Sequence, residues 1–221
     1  MRIEEADWIA RSLETFTTAE LDPVLEIGSS TRLYRTVQRP HIEALVHRPL
    51  RERGVRIVCA DIKPDDGVDI SGDIYDPATL EALRAVGART VMCSNILQHV
   101  SDPRDFARRC GEVLKPGGLM LISMPQSYPY HLDPIDNGFR ADPKTLAGLF
   151  PGFEVCSAES IASSTFGQEL ARKGPVSAAK TLLKALLPLH GMQRWKARAH
   201  RLLWLWRPYR ISAVILRKPS E

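Results

Sequence analysis

The stretch Val24-Leu25-Glu26-Ile27-Gly28 decides the fold of this chain of 221 residues. Its apolar residues predict a short buried strand, and the glycine at its end lets the backbone turn sharply and approach a ligand closely. Four similar runs follow, and short apolar runs of this kind are typical of strands buried on both faces. They cover residues 55–60, 68–70, 90–94 and 119–124.

Helical patterns separate most of these runs, at residues 42–53, 77–86 and 103–114, and another precedes the first run at residues 4–16. Strands that alternate with helices predict right-handed crossovers and a parallel sheet. Two further strand patterns, at residues 153–158 and 210–217, close the sequence. We therefore predict a single α/β domain over residues 1–221.

The composition is that of an ordinary globular protein, with 44% apolar and 25% charged residues. The first residues are charged, unlike a signal peptide, and no run reaches the roughly 18 apolar residues of a membrane-spanning helix. The four cysteines are widely spaced and form no C-x-x-C pair, which predicts buried free thiols and no metal site. Together these features predict a cytoplasmic protein.

Glycine and polar residues stand at the ends of the predicted strands, where parallel sheets bind their ligands. They are Glu26 and Gly28, then Asp61, Asp73 and Asn95. A carboxylate such as Asp61 can accept hydrogen bonds from both hydroxyls of a ribose, and Asp73 can accept one from an adenine amino group. Helix capping and a solvated turn are the alternative roles for both acids.

Two small hydroxyl residues, Ser29 and Ser30, follow Gly28 in the first loop. They predict a tight loop whose backbone N–H groups face a ligand. Such a loop is common in α/β proteins and alone is weak evidence for a ligand site. It becomes informative through its spacing from Asp61 and Asp73.

As a set, these positions resemble the motifs of the class I S-adenosylmethionine-dependent methyltransferases. The resemblance covers about residues 22–155 and extends to a methyltransferase type 11-like branch associated with polysaccharide pathways. It rests on Val24-Leu25-Glu26-Ile27-Gly28, Cys59-Ala60-Asp61, Gly72-Asp73-Ile74, Ser94-Asn95-Ile96-Leu97-Gln98-His99-Val100 and Val113-Leu114-Lys115-Pro116-Gly117-Gly118. It implies a Rossmann-like sheet of seven strands, mostly parallel with an antiparallel last strand, and helices on both faces.

The resemblance also implies S-adenosylmethionine as the cofactor and a row of residues that bind it. The first strand and loop would hold the methionine part, the acid after the second strand the ribose, the pair after the third strand the adenine, and the fourth loop would lie beside the sulfonium. These residues are Glu26, Gly28, Ser29, Ser30, Asp61, Ile62, Asp73, Ile74, Asn95 and Ile96.

Three residues depart from the family pattern. Ser30 and Arg32 stand where the family has further glycines, and Gln98 stands where it often has glutamate. A serine that must adopt positive φ is strained. A catalytically silent relative that acts as a binding or scaffold protein therefore stays open. A nicotinamide-dependent reductase is the other alternative, although G-x-G-x-x-G is absent.

The polar segment 125–140 follows the fifth strand and is expected to cover the acceptor site. A hydroxyl acceptor needs a base, and His131 with Asp133 nearby is the candidate, which makes an O-methyltransferase the expected enzyme. Tyr128, Tyr130 and Arg140 would shape the acceptor pocket. A structural role for His131 and simple packing of the tyrosines are the alternatives. The resemblance favours a small-molecule or glycan acceptor.

A basic helical insertion is predicted at residues 163–207, between the last two strands. It holds nine basic residues and one acid, Glu169. Apolar residues recur at helical spacing from Val176 and again from Met192, with Trp195 and Trp206 among them. Basic amphipathic helices of this type predict that residues 172–207 bind an anionic membrane at its inner face. Packing on the domain or on a second subunit is the alternative, and no nucleic-acid-binding motif accompanies the charge.

Overall fold

A single mixed sheet forms the centre of the computed structural model, which describes residues 1–129, 136–187 and 191–220. Within these ranges the sheet has seven strands in the order β3-β2-β1-β4-β5-β7-β6. The strands are β1 (Val24–Ile27), β2 (Ile57–Asp61), β3 (Ile70–Ser71), β4 (Thr90–Ser94), β5 (Leu119–Ser127), β6 (Glu154–Thr165) and β7 (Pro208–Arg217).

The pairing confirms the predicted fold. Strand β1 lies between β2 and β4 and is parallel to both, and β3 and β5 continue the parallel sheet on either side. Strand β7 is antiparallel to both of its neighbours, β5 and β6. The strand order reverses between β1 and β4, and this is where open α/β sheets form a ligand-binding crevice.

Short helices connect the strands, and several begin at the same kind of signal. Asp76, Asp102 and Asp142 each accept a backbone N–H of the first helical turn, and each is followed by proline, whose fixed φ suits that position. The α-helices are α1 (Ile3–Glu14), α2 (Thr18–Leu21), α3 (Pro40–Ile42), α4 (Arg48–Glu52), α5 (Pro77–Ala85), α6 (Pro103–Val113), α7 (Pro143–Ala147), α8 (Phe166–Arg172), α9 (Pro175–Leu186) and α10 (Met192–His200).

Two apolar cores cover the two faces of the sheet, because successive side chains of a buried strand point to opposite faces. One core packs α1 and α4 against β1 and β5, with Ile9 of α1 fully buried. The other packs α5, α6 and α7 against the opposite face, with Phe106 of α6 among its buried residues. Helices on both faces were predicted, and the structure confirms them.

Three elements differ in detail from the sequence patterns. The predicted helix 42–53 is interrupted by a π-helical turn, Glu43–His47, and a second such turn is Tyr34–Gln38. Strand β5 continues past Pro125 by pairing with β7. Because β4 ends at Ser94, the other side of β5 is unpaired there and tolerates proline. Strand β6 runs on to Thr165, so the first residues of the predicted insertion are strand.

Helices α8, α9 and α10 and a 3₁₀ turn, Arg201–Trp204, lie between β6 and β7. In the ranges that the structure describes, no helix combines the length and the apolar character that crossing a bilayer requires.

Candidate active site

A cavity of about 730 Å³ opens at the carboxyl ends of the central strands. Its volume is in the range of sites that bind small molecules and cofactors. Every residue predicted to bind the cofactor lines this cavity, from β1, β2, β3, β4 and the loops that follow them. These residues are Glu26, Gly28, Ser29, Ser30, Asp61, Ile62, Asp73, Ile74, Asn95 and Ile96.

Gly28 allows the loops after β1 and β4 to meet. Its φ is +74°, and a Cβ atom placed on it would lie 1.8 Å from Cδ1 of Ile96. A glycine is therefore required here both by the backbone conformation and by the close approach of the isoleucine. Ser30, two residues on, has φ of +57°, so the strain expected from its departure from the family pattern is present.

The backbone N–H groups of this loop are not free, and the expectation that they face a ligand is wrong. Those of Gly28 and Ser29 donate to the carbonyl oxygen of Ala60, at 2.7 and 3.0 Å, because the loop closes against β2. The N–H of Ser30 donates to Oδ2 of Asp61 at 2.8 Å. The loop therefore presents its small side chains to the cavity and orients the carboxylate at the end of β2.

Arg35 supports the strained loop through hydrogen bonds to its backbone. The side chain is buried, and its Nη1 donates to the carbonyl oxygens of Ser29 and Ser30, at 3.0 and 2.6 Å. Its Nη2 donates to the carbonyl oxygen of Gly67 at 2.7 Å. These charge-assisted hydrogen bonds offset the cost of the positive φ at Ser30. Arg35 belongs to a π-helical turn, and its sequence neighbourhood gave no signal of this role.

Asp61 at the end of β2 and Asp73 after β3 each accept a backbone hydrogen bond and also line the cavity. Asp73 accepts the backbone N–H of Tyr75 at 3.0 Å with Oδ1 and also lines the cavity. Ile74 beside it is buried, whereas Ile62 after Asp61 is exposed. With Glu26, the cavity lining thus has three carboxylates, and Ile74 gives it an apolar wall after the third strand.

Asn95 at the end of β4 is held by a buried carboxylate from α1. Its φ is +59°, and its Nδ2 donates to Oε1 of Glu5 at 2.7 Å. The hydroxyl of Ser123 on β5 donates to the same oxygen at 2.6 Å, and Glu5 is fully buried. Helix α1 therefore positions Asn95. Glu5 was not predicted, although it shares the face of α1 that carries Ile9 and Leu13.

Gln98 supports the same loop from inside the protein. It is buried, and its Nε2 donates to the backbone carbonyl of Asn95 at 2.7 Å. Gln98 is not among the residues that line the cavity. The absence of a charge at this position therefore affects the loop that carries Asn95 and not a direct contact with a ligand.

A buried cluster lies behind the first strand, where Nε2 of His47 is 2.9 Å from Oε2 of Glu26. Cys59 completes it, and the ligating atoms of the three residues lie within 4.8 Å of one another. Burial and the nearby carboxylate of Glu26 raise the pKa of the Cys59 thiol to about 12. The spacing of the cysteines predicted no metal site, whereas this group is of a kind that can hold a metal ion. Glu26, beside His47, also lines the cavity.

Of the residues predicted to form the acceptor site, the described ones, Tyr128 and Arg140, do not line the cavity. Tyr130, His131 and Asp133 lie outside the described residues. The ring of Tyr128 packs against that of Tyr209, with centroids 4.6 Å apart and planes tilted by 39°, and Tyr128 is not in the cavity lining.

Arg140 forms an ion pair with Asp136, 2.7 Å away, rather than lining the cavity. Asn137, three residues before Arg140, does line the cavity. Its Nδ2 donates to the carbonyl oxygens of Leu97 and Val100, at 2.8 and 2.7 Å. His99, on the 3₁₀ turn Leu97–His99, also lines the cavity. Residues of the fourth loop and Asn137 therefore line the cavity where the predicted acceptor residues Tyr128 and Arg140 do not.

Part of the sequence is similar to known methyltransferases. A family model for a methyltransferase domain matches residues 77–122. The "Ubiquinone biosynthesis O-methyltransferase" of Caulobacter vibrioides is 42% identical over 62 residues, which are 27% of this chain and 23% of the relative. The protein of the same name from Cereibacter sphaeroides is 34% identical over 92 residues, or 36% of each chain. The chain thus spans a quarter to a third of these curated relatives.

Solved structures match nearly the whole chain. The N-methyltransferase NodS from Bradyrhizobium japonicum superposes with a TM-score of 0.52 at 12% identity and covers 98% of this chain and 86% of its own. A coclaurine N-methyltransferase gives 0.53 at 10%, with coverages of 98% and 72%. The fold is the class I methyltransferase fold, which confirms that part of the predicted resemblance.

The fold does not by itself define the reaction. The [4+2]-cyclase SpnF superposes equally well, with a TM-score of 0.52 at 18% identity over 97% of this chain and 81% of its own. Function must therefore be argued from the cavity.

We predict that Gly28→Ala lowers the free energy of unfolding more than Gly152→Ala does. Both glycines have positive φ, at +74° and +82°, but only Gly28 has a neighbour within 4 Å. The backbone strain of about 1–2 kcal/mol is common to both variants, and the overlap with Ile96 adds to it only at Gly28. Urea denaturation measures the difference, and equal losses would contradict the close packing described above.

We predict that Glu5→Ala lowers the free energy of unfolding by about 1–3 kcal/mol, because Asn95 and Ser123 lose their buried acceptor. Glu5→Gln keeps one acceptor oxygen and is expected to lose less. Glu14→Ala, at the exposed end of the same helix, is the control and should stay within about 0.5 kcal/mol of the unsubstituted protein. A loss from Glu5→Ala no larger than the control would exclude this network.

Proposed function

We propose that this chain is an S-adenosylmethionine-dependent methyltransferase that methylates a hydroxyl group. The observation that carries the proposal is the convergence of all the cofactor-binding residues implied by the family motifs on one cavity. The methyltransferase segment at residues 77–122 and the class I fold support it.

The residues of the cavity fit this cofactor. Asp61, with one oxygen held by Ser30, would bind the ribose hydroxyls, and Asp73 would accept from the adenine amino group. Buried Ile74 offers an apolar wall for the adenine ring. Glu26, 2.9 Å from His47, would face the methionine part. Gly28 leaves the space that Ile96 occupies, so that both loops can border the cofactor.

When bound, the cofactor supplies an electrophilic methyl group on a sulfonium. The protein's part is to align an acceptor hydroxyl with that methyl group and to take up its proton. His131 with Asp133 stays our predicted base. His99 is the described histidine that lines the cavity, and it is the second candidate for this role.

The acceptor is proposed to be a hydroxyl of a glycan, which the resemblance favours, or of a lipid-linked sugar, which would also account for the basic helical insertion. Proteins named as O-methyltransferases of ubiquinone biosynthesis match part of this chain, and their names support oxygen as the methylated atom. A phenolic hydroxyl on an apolar molecule is the competing acceptor class that those names suggest.

We predict that calorimetric titration detects binding of S-adenosylmethionine and of its demethylated product. Asp61→Asn should weaken binding about 10- to 100-fold, because a charged acceptor of hydrogen bonds is lost. Asp65→Asn, an exposed acid on the following loop, is the matched control and should leave the affinity unchanged. Absence of binding would favour the silent relative, and binding of a nicotinamide dinucleotide instead would favour a reductase.

We further predict that lipid or glycan extracts from cells with the protein contain a species heavier by one methylene unit than extracts from cells without it. Mass spectrometry makes the comparison, and cells that carry Asp61→Asn serve as the control for methyl transfer. Protein that binds the cofactor while extracts of both kinds stay identical would reject this acceptor class and leave the cofactor proposal intact.

A further inference from the structure

The helices between β6 and β7 expose large apolar side chains to solvent. We call these side chains, together with the basic residues between them, the insertion face. Trp206 is 87% exposed and Val176 is 68% exposed, and Leu183, Leu186, Met192 and Leu203 are each more than half exposed. Apolar patches of this kind on a folded domain mark an interaction surface.

The same elements also carry exposed basic side chains. Lys180 and Lys184 on α9, Lys196 on α10 and Arg207 after the 3₁₀ turn are exposed. Glu169, the single acid in residues 163–207, is turned away from solvent and forms ion pairs with Arg2 and Arg201, at 2.9 and 3.1 Å. The described part of the insertion face is therefore cationic, without an acid among its exposed groups.

The insertion is anchored to the domain on its other side. Phe166 and Leu170 of α8 form a small buried cluster with Trp204 and Tyr209. The indole Nε1 of Trp204 donates to the carbonyl oxygen of Ser127, at the end of β5, at 3.2 Å. The apolar residues of the insertion face therefore stay exposed to solvent although α8 and Trp204 are packed against the domain.

We propose that the insertion face docks on the surface of an anionic lipid bilayer. Aliphatic side chains and an exposed tryptophan can enter the boundary between headgroups and acyl chains, while lysines and arginines contact the anionic headgroups. A second copy of the chain fits less well, because a symmetric contact would bring two cationic faces together. Nucleic acid offers no apolar environment for Leu183 and Leu186.

Docking would bring the acceptor side of the domain towards the membrane. Trp204 contacts Ser127 at the end of β5, and Ser127 belongs to the segment 125–140 that is predicted to cover the acceptor site. A membrane-held acceptor would then reach the cavity without leaving the bilayer surface. Docking itself does not depend on methyl transfer, and only this link to the acceptor rests on the proposed function.

The test is co-sedimentation of the full chain with vesicles of phosphatidylcholine alone or mixed with phosphatidylglycerol. We expect binding to the mixed vesicles at low salt, little binding to phosphatidylcholine alone, and release as salt screens the charges. Lys180→Glu combined with Lys184→Glu should lower the partition coefficient by about 30-fold or more, since each lysine contributes to the attraction.

Matched variants separate this surface from general effects of charge and hydrophobicity. Arg48→Glu combined with Lys144→Glu makes the same change in charge at exposed positions outside the insertion and should bind as the unsubstituted protein does. Trp206→Ser should weaken binding, whereas Leu33→Ser, at a residue 58% exposed, should not. Circular dichroism of each variant checks that it is folded.

Three results would overturn the proposal. They are no co-sedimentation at low salt, equal binding by the insertion variants and their controls, and light scattering that shows an oligomer dispersed by Trp206→Ser. Calorimetry with S-adenosylmethionine on the same samples separates the two proposals. Protein that binds the nucleoside and not the vesicles rejects only the docking surface, and the reverse rejects only the proposed function.

Discussion

The candidate site depends on the reversal of strand order between β1 and β4. The chain that leaves β1 crosses to the face covered by α1 and α4, and the chain that leaves β4 crosses to the face covered by α6. The two loops separate at the carboxyl ends of neighbouring strands, and the gap between them is the cavity. Gly28 and Ile96 are the residues through which the loops still touch.

Buried charged side chains support the strained backbone at this crevice. Among the described residues, Ser30 and Asn95 are the non-glycine residues with positive φ, and both line the cavity. A buried charged side chain supports each of them. Arg35 binds the carbonyl oxygen of Ser30, and Glu5 accepts from the side chain of Asn95. Backbone strain that persists only because its surroundings fix it is typical of functional sites.

The sequence revealed the strand ends and missed the residues that support them. Asp61 and Asp73 could be predicted because a short apolar run followed by an acid is a local pattern. Glu5 and His47 could not, since each acts through contacts with residues distant in sequence. Arg35 contacts Ser29 and Ser30 nearby in sequence, but it does so from a π-helical turn that no sequence pattern indicated. Glu5 is 90 residues from Asn95.

The acceptor side was harder to predict for a related reason. Strand β5 runs on through Pro125 to Ser127, which carries Tyr128 to the cluster around Tyr209 instead of to the cavity. Tyr128 follows the family-like motifs closely in sequence, yet it does not lie at the site. The π-helical turn Glu43–His47 escaped prediction in the same way, because its residues read as one continuous helix.

The position of β7 has a consequence for how the chain acquires its structure. Strand β6 precedes β7 in sequence, yet within the described sheet it is joined to the rest only through β7. During synthesis, β5 and β6 therefore both carry unpaired edges until Pro208–Arg217 has left the ribosome and inserted between them. Such distant pairing is slow, and unpaired edges recruit other chains. Nascent protein should be most prone to aggregation in that interval.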